Sequence, residues 1–112
     1  MKRLTPRSAL EQLVASGREF VELFAHGTLT VEIYKPTGVD RQLPHTRDEV
    51  YVVISGTGQF VNGTVRQPFE PGEVLFVPAG TVHRFEDFSD DFATWVLFYG
   101  PEGGEDSASG GE

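Results

Sequence analysis

Residues 45–58 read HTRDEVYVVISGTG and combine two possible metal ligands with a strand. On a regular strand, residues four apart are separated by roughly 13 Å, so His45 and Glu49 would not reach one ion. Residues 46–48 tolerate a turn, and we interpret them as a corner that folds the Glu49 carboxylate back toward the His45 imidazole. The apolar run at 50–54 is rich in β-branched and aromatic side chains, which predicts a strand ended by the turn at 55–58.

A second informative stretch lies at residues 72–87 and reads GEVLFVPAGTVHRFED. Together the two stretches resemble the motifs of the cupins. The first cupin motif has Gly, His-x-His, Glu and Gly, and this chain has Gly38, Leu43-Pro44-His45, Glu49 and Gly56 in those places. The second motif is Gly-x5-Pro-x-Gly-x2-His-x3-Asn, which the chain matches in spacing with Gly72, Pro78, Gly80, His83 and Asp87. Two positions depart from the family pattern, because Leu43 replaces the first His and Asp87 replaces the Asn.

The resemblance covers roughly residues 22–100 and implies an all-β fold, the double-stranded β-helix or jelly-roll barrel of a small cupin. It also implies one divalent transition metal, which is Fe, Mn, Ni, Co or Zn, held by His45, Glu49 and His83. Two imidazoles and one carboxylate suit these ions and leave coordination positions open. The alternative for each His is an ordinary hydrogen-bonded interior residue.

The absent first His bears directly on the metal site. Leu43 has no donor atom, so we expect it either to weaken metal binding or to abolish it. Gln42 is the nearest possible substitute. Neighbouring residues on a strand point to opposite faces, however, so Gln42 would need a local bulge to take that place.

Length and composition limit the class of protein. The chain has 112 residues, which is enough for one domain with a single core. It contains no cysteine, so any metal must be held by nitrogen and oxygen donors. Its net charge of −8 argues against nucleic-acid binding. No signal peptide or transmembrane stretch is evident, so we expect a cytoplasmic protein without a membrane partner.

The chain divides into three predicted regions. Residues 1–19 form an N-terminal helical extension with a helix at 5–16. Residues 20–100 form the barrel, in which Asn62-Gly63 indicates a two-residue hairpin. Residues 101–112 are acidic and rich in Gly and Ser, so we expect a disordered tail that contributes nothing to folding. The predicted strands are 20–24, 29–34, 50–54, 59–61, 64–67, 74–77, 83–85 and 92–99.

The alternation of strand side chains predicts the cavity and an interface. If Glu49 and His83 point inward, so do the strand residues two further along, and the predicted cavity residues are Tyr51, Val53, Phe85, Leu43 and Gln42. We expect the strand of His83 to pair with the strand of Glu49. The opposite face carries Val50, Val52 and Ile54, which must pack against a second sheet, the N-terminal helix or another subunit. A homodimer is therefore expected.

Two functional hypotheses follow from the resemblance. The first is a metal-dependent oxygenase or isomerase acting on a small organic acid, polyketide or sugar-like molecule. The second is a non-catalytic module that binds or senses a small-molecule ligand in the barrel cavity. No general base other than the metal ligands is apparent in the sequence, and the catalytic residues are not identified.

Overall fold

The structure is a computed structural model, and it describes residues 2–106. One helix, α1, spans Pro6–Ser16. The eight strands are β1 (Phe20–His26), β2 (Leu29–Tyr34), β3 (Asp48–Ser55), β4 (Gly58–Asn62), β5 (Val65–Phe69), β6 (Val74–Val77), β7 (His83–Glu86) and β8 (Ala93–Tyr99). Each corresponds to a strand predicted from the sequence.

The strands form two antiparallel sheets that face each other. The larger sheet has the order β1-β2-β8-β3-β6, and the smaller has the order β5-β4-β7. No ladder of hydrogen bonds joins the sheets within residues 2–106, so the architecture is an antiparallel β-sandwich with open edges rather than a closed barrel. The predicted all-β fold with a short N-terminal helix is confirmed.

A core of large aromatic side chains fills one end of the space between the sheets. Its fully buried members include Phe69, Phe85 and Phe92. Val53 also belongs to this core. Val53 and Phe85, which the sequence analysis placed in the cavity lining, lie instead within this core. Each lies two residues further along its strand than Tyr51 or His83, roughly 6.6 Å deeper into the sandwich, where the aromatic rings occupy the space.

Helix α1 covers the outer face of the larger sheet. Thr5 and Ser8 form a reciprocal capping box at its start, and Gly17 ends it in the left-handed conformation. Ala9 and Leu13 pack against β1 and β2, and Ile54 packs against the same cluster. The helix therefore covers part of the outward apolar face of β3 that was predicted from the sequence. Within the described chain no helix is both long and apolar enough to span a bilayer.

The strand of His83 does not pair with the strand of Glu49. β7 pairs with β4 in the smaller sheet, whereas β3 lies between β6 and β8 in the larger one. The corner at 78–80 follows β6 and carries the chain from one sheet to the other. His83 and Glu49 therefore approach each other across the sandwich rather than along a shared ladder.

Residues 101–106 return to the sandwich instead of leaving it. The Gly103 amide donates to the Thr46 carbonyl at 2.6 Å, and the Glu105 amide donates to Asp48 Oδ2 at 2.8 Å. Gly104 has φ +88°, and a Cβ there would lie 2.9 Å from Asp48 Oδ1, so a glycine is required. We call residues 101–106 the strap. The predicted start of a disordered tail at 101 is thus corrected, and the remainder of that tail, 107–112, lies outside the described residues.

Truncation tests the role of the strap. A chain ending at Gly100 loses the two amide hydrogen bonds to Thr46 and Asp48, each contributing about 1 kcal/mol. Its melting temperature should fall by about 4 °C or more relative to a chain ending at Asp106, measured by thermal unfolding. Equal melting temperatures for the two truncated chains would show that the strap contributes nothing to stability.

Candidate metal centre

The structure brings His45, Glu49 and His83 together, as the motif spacing predicts. Each offers one ligand atom, and these atoms lie within 4.8 Å of one another. His45 Nε2 lies 3.9 Å from Glu49 Oε1, and His83 Nε2 lies 3.1 Å from the same oxygen. His45 lies in the loop before β3, Glu49 is the second residue of that strand, and His83 begins β7. The three side chains are therefore presented by a loop and by both sheets.

The hydrogen bonds around His83 leave a place for a cation. His83 Nδ1 lies 2.8 Å from the Thr81 carbonyl, which can only accept, so Nδ1 carries the proton. In a neutral imidazole, Nε2 then has only a lone pair, and it faces Glu49 Oε1. That oxygen is fully buried and has no hydrogen-bond partner among the described residues. Two facing lone pairs on a nitrogen and a carboxylate are what a divalent ion satisfies, so the donor set fits a metal.

Burial and the Glu49 carboxylate have opposite effects on the pKa of each imidazole. Burial lowers the pKa of His83, but the close Glu49 carboxylate and the Thr81 carbonyl outweigh it, so the net shift is upward. Burial lowers the pKa of His45, and although Glu49 opposes this effect, the proximity of His83 adds to the decrease. The uncharged form is therefore favoured at His45 and the protonated form at His83 in the metal-free protein.

The loop that carries His45 is fixed at several points. The Gly80 amide donates to the His45 carbonyl at 2.7 Å. Asp48 Oδ1 accepts the Ala79 amide at 2.9 Å, while its other oxygen accepts the amide of Glu105 in the strap. One buried carboxylate thereby joins β3, the corner before β7 and the strap. This network positions His45 relative to His83.

Gln42 and Tyr51 complete the surroundings of the three ligands. Gln42 Oε1 lies 3.2 Å from His45 Nε2 and 3.0 Å from the Tyr51 hydroxyl. The Tyr51 hydroxyl lies 3.1 Å from His83 Nε2. Burial and the proximity of Glu49 hold the pKa of Tyr51 well above its usual value, so the phenol stays protonated. Leu43, by contrast, is 76% exposed and lies at the mouth of the cavity.

Asp40 is a site residue that the sequence analysis did not identify. Its side chain is buried and accepts four hydrogen bonds: from the Tyr34 hydroxyl, the Gln42 backbone amide, the Gln42 side chain and the Phe85 amide. These bonds tie the loop before β3 to both sheets. Asp40 lies two residues after Gly38 in a polar loop, and no periodic pattern marks it there as buried.

A cavity of about 420 Å³ opens beside the ligands. Its wall follows the inner face of the larger sheet, where Tyr51 is paired with Val96 and Val96 with Glu32. The cavity is lined by Phe20, Glu32, Tyr34, Gln42, Leu43, Pro44, His45, Glu49, Tyr51, Val96 and Phe98. Gln42, Leu43 and Tyr51 are among these residues, and Glu32 is an additional carboxyl group that the sequence analysis did not name.

The other polar residues near the motifs have structural partners. Arg84 Nε lies 2.5 Å from Glu86 Oε2, and Asp87, in the position of the family's Asn, accepts from Arg66 at 2.9 Å. His26 is exposed at the end of β1. None of these residues lines the cavity beside the ligands.

Comparison with known proteins agrees with the fold and the motifs. The family described as Cupin domain matches residues 30–99 of this chain. The structure of a Cupin 2 conserved barrel domain protein from Salinispora arenicola superposes with a TM-score of 0.64 at 18% identity, covering 89% of this chain and 88% of that chain. Protein NMB1881 from Neisseria meningitidis superposes with a TM-score of 0.65 at 18% identity, covering 88% and 100%.

A relative in sequence is Uncharacterized protein SCO3923 of Streptomyces coelicolor, which is 41% identical over 63 residues. That match covers 56% of this chain and 60% of the relative. The family match extends over more than half of the chain and includes His45, Glu49 and His83. The chain belongs to the cupin family.

Proposed function

We propose that this cupin binds one divalent transition metal on His45, Glu49 and His83 and uses it to bind a small oxygen-containing organic molecule in the adjoining cavity. The observation that carries the proposal is the pair of facing lone pairs on Glu49 Oε1 and His83 Nε2, 3.1 Å apart and buried. Without a cation or a proton between them, the buried Glu49 oxygen would lose its hydration with no hydrogen bond in return.

The lining of the cavity makes the metal the group that would orient a ligand. It contains the carboxyl groups of Glu32 and Glu49 and no lysine or arginine. The ion would therefore be the cation that a ligand oxygen meets among these residues. Val96 and Phe98 provide an apolar wall, and the Tyr51 hydroxyl provides a polar group beside the ligands. A carbon skeleton with one or two hydroxyl or carbonyl oxygens matches these surfaces, which narrows the broader range of substrates expected from the sequence.

Glu32 supports an enzymatic role. It lies on the inner face of β2, opposite Val96, and is not one of the three metal ligands. Burial raises the pKa of Glu32, and the nearby carboxylates of Glu22 and Glu49 add to the increase. A carboxyl group with a raised pKa in a cavity is suited to transfer a proton to or from a bound molecule. A bound metal would supply Lewis-acid polarisation of a ligand oxygen, as an isomerase or oxygenase requires.

Non-catalytic binding is the second candidate, and the apolar character of the cavity wall favours it. Val96 is almost fully buried and Phe98 packs against the core, so this wall is fixed before any ligand arrives. A preformed apolar cavity is sufficient for binding or sensing a small molecule. Turnover of a bound molecule would distinguish the enzyme from the binding module.

We also propose that the chain forms a homodimer through the outer face of β3 and β6. Val50 is paired with Phe76, and Val52 with Val74, so the four side chains form one patch. Val74 and Phe76 are exposed, and β6 is the edge strand of the larger sheet. An exposed apolar patch on an edge strand is a usual site of association between copies of a chain.

Metal titration tests the proposed centre. Chelator-stripped protein, purified without a histidine tag, should bind about one equivalent of at least one ion among Mn²⁺, Fe²⁺, Co²⁺, Ni²⁺ and Zn²⁺. Binding should stabilise the fold by about 4 kcal/mol when the free ion exceeds its Kd a thousandfold. His83→Leu should lose this binding, whereas His26→Gln, which changes the exposed His at the end of β1, should retain it. Wild-type protein that binds none of the five ions would refute the metal centre.

A comparison of metal-loaded and metal-free protein tests the proposed role of the ion in ligand binding. Mandelate should raise the melting temperature of the metal-loaded protein and not that of the metal-free protein, because the lining offers no lysine or arginine to bind its carboxylate. The measurement is the shift in melting temperature at equal ligand concentration, with 2-hydroxyacetophenone as the neutral comparison. Equal stabilisation of the metal-free protein by mandelate would contradict binding through the metal.

Sedimentation tests the dimer. The wild-type chain should sediment as a dimer at micromolar concentration, and Phe76→Glu should shift it to monomer because the charge is placed within the apolar patch. Val14→Glu, on the exposed face of α1, serves as the matched control and should leave the dimer intact. A monomeric wild-type chain at high micromolar concentration would exclude the interface.

A further inference from the structure

Five polar atoms at the candidate metal centre form a closed ring. In order they are Gln42 Oε1, His45 Nε2, Glu49 Oε1, His83 Nε2 and the Tyr51 hydroxyl oxygen. The successive separations are 3.2, 3.9, 3.1, 3.1 and 3.0 Å, and the last returns to Gln42. Two ligands at right angles, each about 2.1 Å from one ion, are about 3.0 Å apart. The separation of Gln42 Oε1 from His45 Nε2 is therefore close to that of two ligands of one ion.

The orientation of the Gln42 amide is fixed from behind. Its Nε2 donates to Asp40 Oδ2 at 2.7 Å, and the carboxylate can only accept. The nitrogen must consequently face Asp40, and the oxygen must face His45 and Tyr51. Asp40 is itself held in place by the Tyr34 hydroxyl at 2.6 Å and the Phe85 amide at 2.9 Å.

We infer that Gln42 is the fourth protein ligand of the metal, with its side-chain oxygen as the donor, and that Asp40 is the residue that positions it. This inference rests on the proposed metal centre. It places an amide oxygen next to two imidazoles and one carboxylate, so the protein supplies two nitrogen and two oxygen donors. Such a set accommodates the ions that accept imidazole and oxygen ligands together.

The structure also gives the reason that Leu43 does not fill this position. Leu43 is 76% exposed, whereas the side chain of the preceding residue points toward His45. The two hydrogen bonds from Gln42 to Asp40, one from its backbone amide and one from its side chain, hold the loop in a conformation that turns Gln42 inward. Leu43, which stands in the place of the family's His, and Gln42 are thus adjacent residues whose side chains lie on opposite sides of the backbone.

The first test compares the same substitution at two glutamines. Gln42→Leu should weaken Co²⁺ binding about tenfold or more and change the visible absorption of bound Co²⁺, because one oxygen ligand is lost. Gln12→Leu, at an exposed position of α1, should leave both the affinity and the absorption as in wild type. Asp40→Asn should weaken binding less than Gln42→Leu, since the donor is present but no longer held. Affinity within twofold of wild type and an unchanged absorption for Gln42→Leu would overturn the inference.

The second test uses the wild-type chain, so it does not depend on a variant that folds. The sequence contains four glutamines, Gln12, Gln42, Gln59 and Gln67, whose side-chain carbonyl carbons can be resolved by NMR. Saturation with Zn²⁺ should shift the Gln42 carbonyl carbon and leave the other three unchanged. Zn²⁺ binding without a shift at Gln42 would refute Gln42 as a ligand and leave the three-residue centre intact. Failure of wild type to bind any metal would instead refute the proposed function.

Discussion

The interaction on which the site depends is the approach of the Glu49 carboxylate to the His83 imidazole across the sandwich. Both groups are almost completely buried, and their facing atoms are 3.1 Å apart. Burial of an unpaired carboxylate costs several kcal/mol, so the fold must provide a positive charge at that point. A proton on His83 or a divalent ion can provide that charge. The surrounding hydrogen bonds hold Glu49 and His83 at this separation.

Two different kinds of packing set the distance between Glu49 and His83 across the sandwich. At one end of the sandwich, aromatic rings fill the space: Phe85 and Phe92 have ring centroids 4.5 Å apart, and Phe69 packs against both. At the other end, hydrogen bonds replace rings. Asp40 and Asp48 each accept bonds from separate segments of the chain and hold the loop of His45 to both sheets. The apolar end determines how closely the sheets approach, and the polar end determines where the ligands point.

The sequence was sufficient to predict the secondary-structure elements and the approach of His45, Glu49 and His83 to one another, because both depend on local patterns. Strand alternation, a capping box and the motif spacing each involve residues close together along the chain. The pairing of β7 was predicted wrongly because the corner at 78–80 could lead the chain into either sheet. Contacts between residues far apart in the sequence decide which sheet the strand joins, and local patterns do not reveal them. Local pattern also misplaced the hairpin by one residue: the turn residues are Gly63 and Thr64, since Asn62 pairs with Val65. The strap was missed because its contacts are made by backbone amides, which amino-acid composition does not reveal.

Gln42 points toward His45 although the family motif assigns that place to position 43, because a motif and the local backbone geometry specify different things. A motif assigns a role to a position along the chain, but coordination is decided by the direction in which a side chain leaves the backbone. Asp40 accepts both the backbone and the side-chain amide of Gln42, so the loop turns at that residue and the usual alternation does not apply. A departure from the family pattern at Leu43 therefore does not by itself remove a donor from the site. In this chain the neighbouring amide oxygen is already aimed at His45, and the carboxylate that aims it also fixes the loop to β7 through Phe85.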